Sequence, residues 1–584
     1  MAQLSLANDV IDKNSGTRLE LRGVFDPLPP TGHVPVRAVI TSGAGRDSTW
    51  TFDFSSETQA YRAQNSHRSS FSVEVPARST QSALFMVPMA VEYGNTHSGY
   101  YGNTPFRVEV GAGGFGGKSY SDHSRRARGF PAIAISPALA DGSITKLNKE
   151  LQTKGSGSPM HYGGDVEFGS QFELDDLPED WLGYSGFDFM LFSHTDWSKL
   201  RPGARRAIEQ WIQLGGTLHL YAPGSVSDDA LGLTEGAAAL KKPFGLGRIR
   251  RYDWDGKELS ASTTVGRYWG VGRRETDLLE GRISIAKGGN YWPLLDVIGE
   301  RSFASWQVVL FLIVFGILVG PVNLFVFAPS GRRHRLFVTT PLLSLGASAL
   351  MVMVILMQDG TGGTGGRFVA VNLHPADAHA CVTQEQISRS GVLLSGAFEL
   401  KQPALVEPVV LPARPWAKLH SGNNSQSVAL VQNGALRSGN YFQSRAEQGQ
   451  ILRSALSTRA RIEKKAAAAP GAPPALISAL GFPVTQVFYV DEAGEAWKSS
   501  GSLASGSESV LVKCAMQELR EAWKAAIARA GSTLRKQLEE QASGVPRGHF
   551  FAKAGAAPGF TLDTLPSVRW HEDQVVLFGP VAGS

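Results

Sequence analysis

Cysteine is almost missing from this 584-residue chain: only Cys381 and Cys514 occur, and none stands before residue 360. That scarcity excludes a disulfide-stapled fold. With no CxxC pair, a cysteine-based zinc centre is excluded as well. The two thiols form either one disulfide, in an oxidising compartment, or two free buried cysteines. Basic blocks are also missing. The net charge is +5, but no run of Lys and Arg of the nucleic-acid-binding kind is present, so no nucleic-acid partner is expected. A negatively charged membrane surface accounts for the mild basicity equally well. Residues 1–30 have no apolar stretch resembling the core of a signal peptide.

The most informative absence is charge in two long segments. Residues 306–328 read WQVVLFLIVFGILVGPVNLFVFA and residues 336–357 read LFVTTPLLSLGASALMVMVILM, with no Asp, Glu, Lys or Arg in either. Each is close to the roughly 20 apolar residues that span a bilayer, so a transmembrane hairpin over 306–357 is expected. The turn between them, PSGRRHR, holds Arg332, Arg333 and Arg335, which the positive-inside rule places in the cytoplasm. Both flanking soluble regions then lie outside, in the periplasm of a bacterial inner membrane. Crossing a membrane requires a leader, so one is expected upstream of the numbered chain. Gly316 and Gly320 form a GxxxG, predicting close helix packing, either within the hairpin or against a partner subunit. Pro321 cannot donate to the Ile317 carbonyl, so a kink is expected, with Asn323 satisfying freed backbone groups. The spans lack ionisable residues, which argues against a self-sufficient transporter.

Before the hairpin the patterning changes once. Residues 17–110 alternate polar and apolar in short runs broken by Gly, Pro and Ser, predicting a β-sandwich over 1–120. Residues 128–300 read instead as α/β. PAIAIS is a strand and SITKLNKELQ a helix, with Ser143 as its N-cap. GFDFMLFSHTDW is the next strand. LRPGARRAIEQWIQLGG is a helix with Pro202 in its first turn and Ala204, Ile208, Trp211 and Ile212 on one face. TLHLYAP then completes a parallel strand–helix–strand unit. After the hairpin, QDGTGGTGG reads as a flexible linker. A mixed α/β domain is expected over 366–584. Its strands are RFVAVNL, ACVTQEQIS, EPVVLPA, SVALVQ, TQVFYVD and QVVLFG. Its helices fall near 443–468 and 509–542, the second carrying Val512, Met516, Leu519, Trp523 and Ile527 at helical spacing.

In residues 180–224, Tyr184-x-x-Phe187-Asp188 leads a strand, and Trp211-x-x-x-Gly215-Gly216-x-Leu218 closes a helix into the next. This segment resembles the class I glutamine-amidotransferase-like domain of a group of bacterial membrane proteins. GPVNLFVF with its basic turn is similar to their hairpin. The resemblance covers about residues 130–360. It implies an amidotransferase-like fold, and at family level partners of von Willebrand A-type or ABC-transporter systems. Active members use a Cys nucleophile, and residues 1–360 contain none, so the domain is expected to be a degenerate, binding version.

Three constellations offer chemistry. Residues 112–119, with Gly117, Lys118 and Ser119, fit a relaxed phosphate-loop pattern, but no apolar helical face follows, and a glycine linker is expected there. Ser193, His194 and Asp196 crowd the C-terminal end of a strand, where α/β proteins place active sites. Neighbours in sequence do not readily converge as a triad, so loop capping is the plainer role. His374, Asp377, His379 and Cys381 supply metal-ligand types in one turn, which also reads as an ordinary hairpin loop. No cofactor is expected. The reading that results is a non-enzymatic envelope scaffold, or accessory subunit of a membrane complex, whose partners are the lipid bilayer and other membrane or envelope proteins. The alternatives are an extracytoplasmic hydrolase or metal-dependent enzyme, and an accessory subunit of a transporter.

Overall fold

The computed structural model describes residues 4–59, 64–90, 105–112, 115–123, 130–156, 167–227, 243–274, 292–299, 305–409, 411, 429–465, 472–544 and 546–583. It shows a β-rich multidomain protein with two long apolar helices.

The N-terminal part holds strands β1 (Ser5–Asp12), β2 (Thr17–Gly23), β3 (His33–Thr41), β4 (Ser48–Gln59), β5 (Gln64–Val75), β6 (Thr80–Pro88), β7 (Pro105–Ala112) and β8 (Phe115–His123). Their period-two pattern works as expected: in β2, Leu19 and Leu21 are fully buried while Arg18 and Glu20 face out. One sheet runs β1-β2-β3-β6 and the other includes β5-β4-β7-β8. Trp50, Phe52 and Phe54 from β4 fill the space between them with Val34, Val36 and Phe85. The glycine-rich stretch is not an interdomain linker. Gly117, Lys118 and Ser119 lie in β8, which pairs antiparallel with β7.

The α/β part holds β9 (Ile133–Ile135), β10 (Phe189–Ser193), β11 (Thr217–Ala222), β12 (Pro243–Phe244) and β13 (Gly247–Asp253). Its helices are α1 (Pro137–Ala140), α2 (Ile144–Ser156), α3 (His194–Lys199), α4 (Pro202–Gln213) and α5 (Ala261–Arg274), and the following α6 (Leu295–Ile298) packs on the C-terminal sheet. Strands β9, β10, β11 and β13 are parallel neighbours, with β12 antiparallel at the edge. Along β10, Met190 and Phe192 pack toward α4, and Phe189 and Leu191 toward α2 and α5, giving three layers. Ser143 does not cap α2 with its side chain; its hydroxyl accepts from the amide of Leu259 at 3.0 Å.

Two apolar helices follow. α7 (Ser305–Ile317) runs into a π-helical stretch, Leu318–Phe327, that contains Pro321. The disturbance expected at this proline is thus taken up by wider turns. After the Arg332–Arg335 turn, which is exposed, comes α8 (Leu336–Asp359). Asn323 does not repair the backbone with its side chain. Its Nδ2 donates across the hairpin to Thr340 Oγ1 at 2.9 Å. A Cβ placed on Gly316 or Gly320 meets nothing within 4 Å, so the GxxxG face does not pack against α8.

Beyond the hairpin stand β14 (Gly363–His374), β15 (His379–Ser390), β16 (Phe398–Glu399), β17 (Leu405–Val409), β18 (Ala429–Asn433), β19 (Leu436–Gly439), β20 (Glu447–Ser457), β21 (Ile462–Lys465), β22 (Ala475–Ser478), β23 (Gln486–Val490), β24 (Ala496–Ser499), β25 (Glu508–Cys514), β26 (His549–Ala554) and β27 (Val568–Pro580). Helices α9 (Met516–Ala526) and α10 (Ser532–Ser543) interrupt them. Eleven of these strands make one sheet, β17-β20-β15-β14-β27-β26-β23-β24-β25-β22-β21. Leu519, Trp523, Leu534 and Leu538 cover one face with Phe368, Phe551 and Phe578. Three expectations fail here. Residues 443–468 hold β20 and β21, not a helix, because β20 is paired on both edges by β15 and β17 and β21 pairs with β22. Val512 belongs to β25 and is exposed, so the helix starts only at Met516. Gly363, Gly365 and Gly366 of the supposed linker belong to β14, where a Cβ on Gly365 lies 2.5 Å from the Ile387 carbonyl oxygen.

Strands β16, β19 and β18 leave this sheet and join the N-terminal sandwich, with β18 parallel to β5. One sheet therefore contains strands from before and after the hairpin. Domain borders drawn at 120 and 366 are crossed by backbone hydrogen bonds.

Candidate functional site at the Gln213 junction

Helix α4 lies between the α/β sheet and the C-terminal sheet. Pro202 sits in its first turn, where a missing N–H costs nothing. Ala204, Ala207, Ile208 and Ile212 are fully buried. The helix ends at Gln213, and Gly215 takes φ +118°, a conformation open to glycine. Gly216 is required for space, since a Cβ there would stand 2.4 Å from the Trp211 ring.

Gln213 is buried and faces the β14–β15 hairpin. In that hairpin His374 pairs with His379 across the turn, and their rings stack at 4.9 Å with 14° between planes. Gln213 Oε1 lies 2.7 Å from His379 Nε2 and its Nε2 lies 3.3 Å from His374 Nδ1. The amide has one acceptor and one donor end, so this network assigns both neutral imidazoles a proton on Nε2. The Cys381 thiol, also on the face toward α4, donates to the same Oε1 at 3.3 Å. Desolvation holds His374 well below its ordinary pKa, with His379 and His549 adding to the effect. Burial lowers His379 too, against the opposing charge of Asp377. Burial pushes the Cys381 thiol up, the opposite of what a nucleophile needs.

The structure brings His374, His379 and Cys381 together around Gln213. Asp377 stays exposed in the turn. Among the described residues no set of three or more His, Cys, Asp or Glu is arranged to hold a metal. The histidines instead converge on an amide, Gln213, which no spacing rule marks.

Beside the junction, α4, β15 and α10 line a cleft of about 60 Å³ with Trp181, Trp211, Thr383, Glu385, Arg453 and Gln537. Cys381, Thr383 and Glu385 alternate along β15, so one strand face supplies all three. Burial raises the Glu385 pKa to about 7, opposed by the amide of Gly531 and the charge of Arg453. That amide donates to Glu385 at 2.6 Å, and Gly531 is the N-cap residue of α10. The carboxyl therefore closes a helix terminus. Arg453 is engaged with Glu407.

The other constellations are similarly occupied. Ser193 is fully buried and its Oγ accepts from the Asp196 amide at 3.0 Å, capping α3. Asp196 accepts from the Ala138 amide at 2.8 Å, tying α3 to α1. The ring of His194 stacks edge-on to Trp254 at 6.5 Å. These bonds match the capping role, with Ser193 Oγ also bonded to Thr195 Oγ1 at 2.9 Å. Lys118 pairs with Asp9 at 3.2 Å, so it ties β8 to β1.

No protein-family model matches the sequence, and no curated protein matches it. Among solved structures, a Bacteroides uniformis β-glucuronidase aligns over 35% of this chain at 11% identity with a TM-score of 0.14. The chain spans 23% of that enzyme's length. The yeast δ-COP-I μ-homology domain, complexed with a Dsl1 WxWxV peptide, aligns over 38% of this chain and 96% of its own at 8% identity and TM-score 0.15. A Paenibacillus cycloisomaltooligosaccharide glucanotransferase aligns over 84% and 68% at 10% identity and TM-score 0.14. Likenesses this slight carry no argument about fold or activity.

Proposed function

We propose that the protein is a membrane-anchored scaffold or accessory subunit of a bacterial membrane complex. In this reading the hairpin crosses the inner membrane, the arginine turn is cytoplasmic, and one composite body outside binds envelope proteins. Its α/β part is a degenerate amidotransferase-like domain.

The observation that supports this most is the bare hairpin. Phe337 is 86% exposed and Phe325 73%, and the two segments have mean hydropathies of 2.7 and 1.8. No other part of the described chain covers them. Transfer into hydrocarbon is the ordinary fate of such surface. The shared sheet adds a topological argument: residues on both sides of the hairpin belong to one body, so the chain crosses an even number of times. The occupied Ser193 and the raised Cys381 thiol favour binding over catalysis.

Single cysteines at the exposed Ser225, Ser330 and Ser502, with Cys514 replaced by Ser, test the orientation in intact cells. An impermeant thiol reagent is expected to label Ser225→Cys and Ser502→Cys but not Ser330→Cys. Labelling of Ser330→Cys alone would invert the topology, and opposite results for positions 225 and 502 would defeat the single-body reading.

A further inference from the structure

Both ends of the hairpin return to one corner of the C-terminal sheet. On the exit side, α8 stops at Gly360, and the Gly360 carbonyl accepts from the Val392 amide at 3.0 Å. On the entry side, Gly299 lies six residues before Ser305, and its carbonyl accepts from Arg389 at 2.6 Å. Arg389 stands on β15 opposite Thr364 of β14. The corner therefore sits where the apolar helices begin and end.

A loop leaves this corner at residues 392–395. Val392 bridges Thr361, and Leu393 is held by Ser444, which accepts from its amide at 3.0 Å. Leu394 between these anchors and Ser395 is 102% exposed, more than any other large apolar side chain described. Two exposed arginines stand on neighbouring segments of the same corner. The Arg445 amide donates to Gly391 at 2.9 Å, and Arg569 on β27 pairs with Thr364.

We propose that this loop docks into the surface of the bilayer beside the hairpin. Leu394 seats among the acyl-chain ends nearest the headgroups, and Arg445 and Arg569 face anionic headgroups. The inference rests on the membrane reading of the hairpin. Depth supports it. The apolar part of α8, residues 336–357, rises about 33 Å at 1.5 Å per residue, against a hydrocarbon core of about 30 Å. Gly360 then stands a few ångströms above the hydrocarbon. Leu394, two residues from Val392, is within about 7 Å of it along the chain, which is roughly the depth of one interfacial layer. An exposed leucine with cations on neighbouring segments is the composition that interfacial contacts use.

The test uses the full chain in vesicles of phosphatidylcholine and phosphatidylglycerol, with a lipid carrying a nitroxide near its glycerol end. A fluorophore is attached at Leu394→Cys, Ser395→Cys, Leu342→Cys or Ser502→Cys, with Cys514 replaced by Ser. All four positions are exposed, so folding is preserved. Quenching at 394 and 395 is expected to match that at 342 and to exceed that at 502 severalfold. Quenching at 342 with 394 and 395 as weak as 502 overturns the docking and leaves the hairpin reading intact. Weak quenching at all four overturns the hairpin reading and the docking together.

Discussion

Gln213 and His379 are 166 residues apart in sequence and 2.7 Å apart in space, joined by a hydrogen bond from imidazole to amide. The bond fastens the last residue of α4 to the first residue of β15. With His374 and Cys381 it makes a small polar centre between two apolar layers.

Removing that amide is the most direct test of the junction. Gln213→Leu keeps the volume but leaves His374, His379 and Cys381 without their shared partner. Buried groups left unsatisfied cost about 1–3 kcal/mol each, so a loss of a few kcal/mol in unfolding free energy is expected. The Cys381 thiol, buried in the native protein, becomes reactive toward an aromatic disulfide reagent. Unchanged denaturant midpoints and thiol rates would falsify the junction's role.

Acid is expected to unfold the protein. Burial pushes His33 and His219 down to about 3 and His67 to about 4, and it lowers His374 and His379 as well. The folded values lie below the ordinary 6.5, so below that pH the unfolded chain binds protons that the folded chain does not. Stability present above pH 6.5 is lost as pH falls toward 4. The slope is at most about 1.4 kcal/mol per unit for each histidine. Glu209 and Glu385, raised to about 7 from 4.5, act in reverse: their stabilisation grows as pH falls from 7 and is complete below 4.5. Below that value the histidine loss is unopposed. Denaturant midpoints that stay level across this interval would sink the prediction.

Ser193→Ala separates capping from catalysis. Loss of a Ser N-cap costs about 0.5–2 kcal/mol, so a modest fall in Tm is expected. Binding and any cellular role of the folded protein stay unchanged, measured by complementation at permissive temperature. Abolished function with an unchanged Tm is the result that would revive a catalytic serine.

Within the hairpin, Asn323→Val removes the bond to Thr340 Oγ1. Interhelical hydrogen bonds in bilayers average about 0.6 kcal/mol, so a small loss is expected in a detergent unfolding assay. Thr340→Val is expected to cost the same, and the double variant no more than either alone. Additive losses would show that the two side chains act separately.

Much of the local structure was legible because it follows from chain periodicity. Alternation marked β2 and β4, the Pro202 start and Gly215-Gly216 end bounded α4, and two uncharged runs marked the apolar helices. The C-terminal errors share one cause. Residues 443–468 and Val512 carry apolar residues at spacings compatible with either period, and only a neighbouring strand decides between them. The glycines of 360–366 read as a linker because glycine permits flexibility, yet Gly362, Gly363, Gly365 and Gly366 allow β14 and its neighbours to approach closely.

The sequence alone determined the length and apolarity of the hairpin, the lack of cysteine before residue 360 and the class of most strands, since these depend on composition or on residues near one another in the chain. Tertiary structure decided that β18 pairs with β5, that Gln213 is the centre between His374 and His379, and that Gly316 and Gly320 face away from α8. Those relations join residues far apart in sequence, and their energies arise only once distant segments exclude water together.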